Sequence, residues 1–476
     1  MLVHITATAT CMPLAVTLVS YGVRISEEKG RELLVYAALH LLLWIAIGLA
    51  PTALSLAGVS LLVDARQSGF LFLIAIANII LAVSYANVAG LSLSLGLSGK
   101  KQLLAPFIVC AFILPIILFS QGPISAWDSL DYWAIEAARY LDVAGREEPM
   151  RPFATSYIHP HTGIGLLVSS VILGTGLESS SWRFTPVVPQ LTTMLILCRA
   201  LGAAAKVELK LNSLIAVAIL SVPLVMNHLA LVGYVDLWMA LNVAVSASLI
   251  GFFFLYQSPS LIFFGLISLL SLAAWRNNWL VYFAPVFLSG LIAGLWIFGI
   301  NSFRAKEGKL YWVLLALGLS MVAIAVVWLC NNTFDVPGYG TFGVQRFPEL
   351  TRIWVGFRYF PLEFQEVAVV FDAFAFSLLT NMSFSVFPLI FAFLSIATLM
   401  RCPWHGGALF FFLVPLLLVA TFIVATMIST FFFINYAAVG SDTGLSRFML
   451  AWLLSCLPLL FNVMGTEGLV RLRPNP

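Results

Sequence analysis

Charge is what the chain has least of: Asp, Glu, Lys and Arg supply 9% of its 476 residues, against 61% hydrophobic residues. That shortage excludes a water-facing globule, because the long uncharged runs exceed what such a fold could bury. A net charge of +3 gives nucleic-acid binding no support. Cysteine is sparse too. The six present, Cys11, Cys110, Cys198, Cys330, Cys402 and Cys456, stand singly in or beside apolar runs, without metal-ligand spacing, and read as packing residues. The alternating pattern of a membrane barrel is missing, as are internal repeats and low-complexity tracts. The opening MLVHITATATCMPLAVTLVSYG lacks the basic start of a cleavable signal peptide and reads as a membrane helix.

What is there is a succession of apolar runs of about bilayer length. They predict an all-α fold, a polytopic transmembrane helical bundle of roughly thirteen spans. The seven lysines, Lys29, Lys100, Lys101, Lys206, Lys210, Lys306 and Lys309, all fall in short loops that can share one side. By the excess of basic residues on the inner face, that side is cytoplasmic. Two long polar stretches, 121–183 and 331–372, then face outward together with the turn at 233–236. A crossing at 161–176 would put Lys206 and Lys210 outside, so that segment is expected to be a short juxtamembrane or re-entrant helix.

The densest charge lies in 121–162, with the acids Asp128, Asp131, Glu136, Asp142, Glu147 and Glu148. On a helix over 126–142, Trp127, Leu130, Ala134, Ala137 and Leu141 share one side while Asp128, Asp131, Arg139 and Asp142 share the other. Such a helix lies along the membrane surface, greasy side down. Asp128 and Asp131 are neighbours at this spacing, so one carboxylate can shift the other's proton affinity or both can hold a cation. Equally, the pair can simply solvate the helix.

Three further constellations carry polar chemistry. His159-Pro160-His161 presents two imidazoles suited to hydrogen-bonding a phosphate or sugar hydroxyl, or to a structural role at a helix start. Tyr234 and Asp236 in LVGYVDLWMAL put an acid at the junction of two apolar runs, where it is either functional or a helix N-cap. Arg276, Arg346, Arg352, Arg358 and Arg447 fall on the outward side. Guanidinium groups match phosphate oxygens in paired hydrogen bonds, and they also snorkel to lipid head groups.

Taken in order, WDSLDYWAIEAARYL, HPH, GYVD, the looser RNNW at 276–279 and TGLSR ending at Arg447 resemble the GT-C superfamily of integral-membrane glycosyltransferases. The likeness is to the branch of the protein mannosyltransferases, the lipid A aminoarabinose transferase and bacterial lipopolysaccharide glycosyltransferases. It divides the chain into N-terminal helices over 1–102, outside the resemblance, and a catalytic module over 103–476. The resemblance implies transfer, of inverting type, of a sugar from a polyprenyl-phosphate donor to a glycan, lipid or protein acceptor. It implies a bacterial inner membrane with the site on the periplasmic or extracellular face. Asp128 would then be the catalytic base, with Asp131 beside it. Asp131 and Asp236 would orient the acceptor or bind a divalent cation, magnesium or manganese, Asp128 and Asp236 being its candidate ligands. Arg447, Arg276 or Arg346 would steady the leaving phosphate, and Tyr132, His159, His161 and Tyr234 would line the substrate site. The chain differs from the family where an Asp-Glu pair becomes Asp128-Ser129, and where a lysine and a glutamate become Arg276 and Asn278.

Two other classes compete. A transporter of a polar or lipid-linked substrate also needs charge in a helical bundle, and would carry broken helices in corresponding halves. A membrane scaffold would leave the acidic helix without a purpose.

Overall fold

A chain this apolar must satisfy its backbone N–H and C=O groups internally, and a helix does so within each run. The computed structural model describes residues 2–56, 63–91, 106–111, 113, 181–230, 236–275, 279–304, 332–336, 340–346, 351–356, 358–361, 375–376, 387–401, 406–428 and 443–465. Most of these are helical. The first group of helices is α1 (Leu2–Ser20), α2 (Glu27–Leu56), α3 (Val63–Ala89) and α4 (Ser181–Ala204). Then come α5 (Leu209–Leu220), α6 (Pro223–Ala230), α7 (Asp236–Tyr256), α8 (Pro259–Leu270) and α9 (Leu280–Arg304). The last are α10 (Phe387–Arg401), α11 (Gly406–Ile428), α12 (Thr443–Ser455) and α13 (Leu457–Met464).

Four of the described helical segments are long and apolar enough to cross a membrane: Glu27–Ile47, Phe72–Ala89, Val187–Ala204 and Asp236–Tyr256. The pair α5 and α6, bent by 69°, adds a fifth if it is one broken span. Pro223, which cannot supply a backbone N–H, opens α6 at that break. Shorter apolar helices, such as Val281–Ile297 and Gly406–Phe422, accompany them. This is the lipid-compatible helical bundle that the composition requires, with four or five of the expected spans among the described residues. Much of 103–120 and all of 310–330 lie outside the described residues.

Two helices make the centre. Val187–Ala204 of α4 is buried throughout, and α7 is buried from Asp236 to Phe252. The N-terminal α1 and α2 pack on α4, and α2 also packs on α7, within one core that runs from Leu14 to Phe461. The described helices within 1–102 therefore share their packing with the later helices. At Gly30 a Cβ would stand 2.8 Å from the Ala204 backbone nitrogen and 3.0 Å from the Ala200 carbonyl oxygen. Backbone meets backbone there, the contact that small residues allow between helices in lipid.

One result corrects the all-α expectation. Within the second polar stretch, β1 (Thr333–Val336), β2 (Gly340–Arg346), β3 (Thr351–Gly356) and β4 (Arg358–Pro361) form an antiparallel meander in that order. Thr333 pairs with Gly343, Arg346 with Thr351 and Val355 with Arg358. The strand sequences TFDV, TRIWVG and RYFP are rich in β-branched and aromatic residues. Hydropathy counts them only as a break between spans, so they read as loop. Gly343 adopts φ +124°, and a side chain there would strike the Asn332 carbonyl oxygen. Only glycine suits that position.

Candidate functional site

Two opposite ends of the bundle each collect charged or polar groups. One end collects the close of α1, the start of α2 and the closes of α3, α4, α7 and α13. Lys206 Nζ lies 3.6 Å from Glu27 Oε2, Arg31 is 3.1 Å from Glu27 Oε1, and the Tyr256 hydroxyl donates to that same oxygen at 2.7 Å. The Arg31 guanidinium sits 4.1 Å above the Tyr256 ring. Gly90, after α3, lies against Lys29 Nζ, and Gly465, after α13, lies against the Ala205 carbonyl. The lysines in the described residues are thus on one end, as the loop pattern required.

Deeper on that side is Arg199, only 2% exposed. Its Nε donates to the Ser20 carbonyl at 3.1 Å, Nη2 donates to the Val23 carbonyl, and the guanidinium faces the Tyr21 ring at 5.9 Å. An ionised group so buried is costly unless partnered. Its partners are carbonyls at the close of α1, the negative end of that helix's dipole. The Tyr21 hydroxyl donates to the Leu195 carbonyl at 2.9 Å, and Ser20 and Tyr85 share a hydrogen bond of 2.8 Å. Further along the α2–α4 contact, His40 Nδ1 meets Thr193 Oγ1 at 2.9 Å. These groups bind the helices to one another.

The other end collects the start of α7, the close of α8, the start of α9 and the start of α12. Asp236, 3% exposed, is the first residue of α7. There a carboxylate meets the positive end of the helix dipole. Two residues on, Trp238 stacks on Trp275 with ring centroids 5.0 Å apart and planes 17° from parallel. Trp275 follows the 3₁₀ turn Ser271–Ala274 that ends α8. Tyr282, near the start of α9, approaches Phe448 of α12 at 5.8 Å, and Phe448 approaches Phe422 of α11 at 4.3 Å. Arg447 directly precedes Phe448, so the backbone that carries it lies at this end. His228, near the close of α6, is buried, with Nδ1 2.8 Å from the Leu224 carbonyl.

Of the residues singled out in the sequence, Asp236 and the backbone of Arg447 share this end. Arg346 is the last residue of β2, opposite Thr351. Asp128, Asp131, Tyr132, His159, His161, Tyr234 and Arg276 lie outside the described residues, as does the expected re-entrant segment 161–176. Asp236 offers a magnesium or manganese ion one carboxylate, where such ions take about six oxygen ligands. Among the described residues no three His, Cys, Asp or Glu side chains gather as a metal site.

Sequence reasoning passed over Trp238, Asn242 and Trp275, all wholly buried at or near this end. A polar amide inside the run DLWMALNVAVSASL was the available signal. The fold and its ends define a mostly helical protein of the kind that crosses membranes. No protein-family model, curated protein or solved structure matches the chain.

Proposed function

We propose that the protein is a membrane glycosyltransferase of GT-C type, with roughly thirteen spans, that takes its sugar from a polyprenyl-phosphate donor. In this proposal the acceptor is a hydroxyl of a cell-envelope glycan, lipid or protein. The site lies on the periplasmic or extracellular face of a bacterial inner membrane. The observation that carries the proposal is Asp236, 3% exposed, at the end of the bundle away from Glu27 and Lys206 and shared with the helix that bears Arg447. Buried acids at a membrane boundary are expensive enough to mark function. The basic end then faces the cytoplasm.

Chemically, Asp128 removes the proton from the acceptor hydroxyl as its oxygen attacks the anomeric carbon from the side opposite the phosphate. The bond from that carbon to the phosphate oxygen breaks, its electron pair leaves with the polyprenyl phosphate, and the configuration inverts. Asp131 and Asp236 orient the acceptor, while Arg447, Arg276 or Arg346 stabilises the charge that grows on the departing phosphate. Tyr132, His159, His161 and Tyr234 contact the substrates.

Asp128→Asn tests this directly. Sugar transfer in membranes should fall by about a hundredfold or more with the fold retained. Mass spectrometry of envelope glycans, with and without the chain, should identify sugar and acceptor together. The 69° break between α5 and α6 favours a second reading, a transporter, because discontinuous helices line substrate paths in such proteins. Substrate flux that survives Asp128→Asn, with no glycan changed by removing the chain, would decide for transport.

A further inference from the structure

We propose that Asn242 is a positioning residue that holds the 3₁₀ turn at the close of α8, and with it Trp275, against the start of α7. The proposal deepens the transferase reading, since it rests on the Asp236 end being the substrate site.

Asn242 is wholly buried between Leu241 and Val243, which are equally enclosed. An amide in such surroundings costs several kcal/mol unless its hydrogen bonds are made. Every partner comes from the close of α8. The amide orientation that matches donors to acceptors puts Oδ1 3.1 Å from Trp275 Nε1 and 2.9 Å from Ser271 Oγ. It puts Nδ2 3.1 Å from the Ser268 carbonyl oxygen and 2.6 Å from the Ser268 hydroxyl. In this same stretch α8 leaves α-helical geometry for the 3₁₀ turn Ser271–Ala274.

A second grip acts on the same indole. Trp238 lies one helical turn before Asn242, on the same face of α7, and stacks on Trp275 at 5.0 Å. Trp275 is therefore held by its ring face and by its N–H, from two successive turns of one rigid, buried helix. Asp236 precedes Trp238 by two residues, and Arg276 follows Trp275 directly. Asn242 thus ties the chain leading into Arg276 to the helix that begins with Asp236. A mere contact between two helices needs no such arrangement, because apolar packing of α8 on α7 continues through Gly265, Leu249 and Ile250.

The test uses the full chain in detergent or nanodiscs, with its thirteen tryptophans replaced by 5-fluorotryptophan. Trp238→Phe and Trp275→Phe assign the two fluorine signals. Asn242→Leu should displace the Trp275 signal and lower transfer from a polyprenyl-phosphate sugar by about tenfold or more, chiefly in kcat. Because that variant strips Ser268, Ser271 and the Trp275 N–H of their Asn242 partner and can fail to fold, Asn242→Leu is also combined with Ser268→Ala and Ser271→Ala. Removing both sides of a buried polar contact is close to neutral for stability. The combined variant, in which only the Trp275 N–H still lacks its acceptor, should recover most of the melting temperature while keeping the displaced Trp275 signal and the low kcat. An unmoved Trp275 signal, or full kcat with the signal displaced, overturns the proposal. Failure of the transferase reading itself appears separately, as sugar transfer unaffected by Asp128→Asn.

Discussion

The two ends of the bundle handle polar groups in opposite ways. At the lysine end, Glu27 is 31% exposed and shared among Arg31, Lys206 and Tyr256. Arg199 below it is satisfied by the backbone carbonyls of Ser20 and Val23, at and just past the close of α1. Charge there is either half in water or used to join helices. At the opposite end, Asp236 is almost fully enclosed at the start of α7, beside a tryptophan stack pinned by an amide. Partly exposed ion pairs contribute little to stability and are easily placed. An acid held 3% exposed needs a reason beyond solubility, and that contrast directs the search for chemistry to the Asp236 end.

The contrast can be broken most sharply at Asp236. Asp236→Asn keeps a side chain that serves well at a helix start, so stability should change little. Sugar transfer should fall by about a hundredfold as the acceptor loses its alignment. Unchanged transfer in a stable Asp236→Asn protein would reduce this end to a structural cap. Next in size is Arg199→Met at the other end. Stripping the Ser20 and Val23 carbonyls of their donor should cost about 3 kcal/mol, seen as a lower melting temperature in detergent, without a specific change in kcat. A loss of kcat in excess of the loss of folded protein would show that the lysine end also takes part in the reaction.

Gly30→Val should follow, at about 2 kcal/mol, because the new methyls must force α2 away from the backbone of α4. Its melting point is the measure, and a value equal to wild type would deny the close approach. The smallest effect belongs to Glu27→Gln. Removing one member of a partly exposed cluster should cost under about 1 kcal/mol, and transfer should stay at the wild-type rate. A large loss at Glu27 would erase the distinction between the ends.

Some of this was legible in the sequence. Apolar runs near bilayer length, at 184–204 and 236–256, gave α4 and α7 with bounds close to those observed, the run from 33 began six residues inside α2, and the lysine pattern put Lys29 and Lys206 together. Asp236 stood out as an acid between two apolar runs. The sheet over 333–361 did not stand out, since its short strands lie where hydropathy reports only polarity. Nor did Asn242 and Arg199. Each is a single polar residue in an apolar run, and its partners are 29 and 179 positions away respectively.

The amino-acid sequence alone determined that this chain folds as helices suited to lipid, because backbone groups without water leave few alternatives. It also determined which loops carry positive charge. Only the tertiary structure decided which face of each helix meets which neighbour. A helix apolar all round, such as α7, has no stripe to declare its packing side. The meeting of Asn242 with Ser268 and Trp275, and of Arg199 with the close of α1, therefore follows from close packing of small residues and from the need of each buried polar atom for a partner.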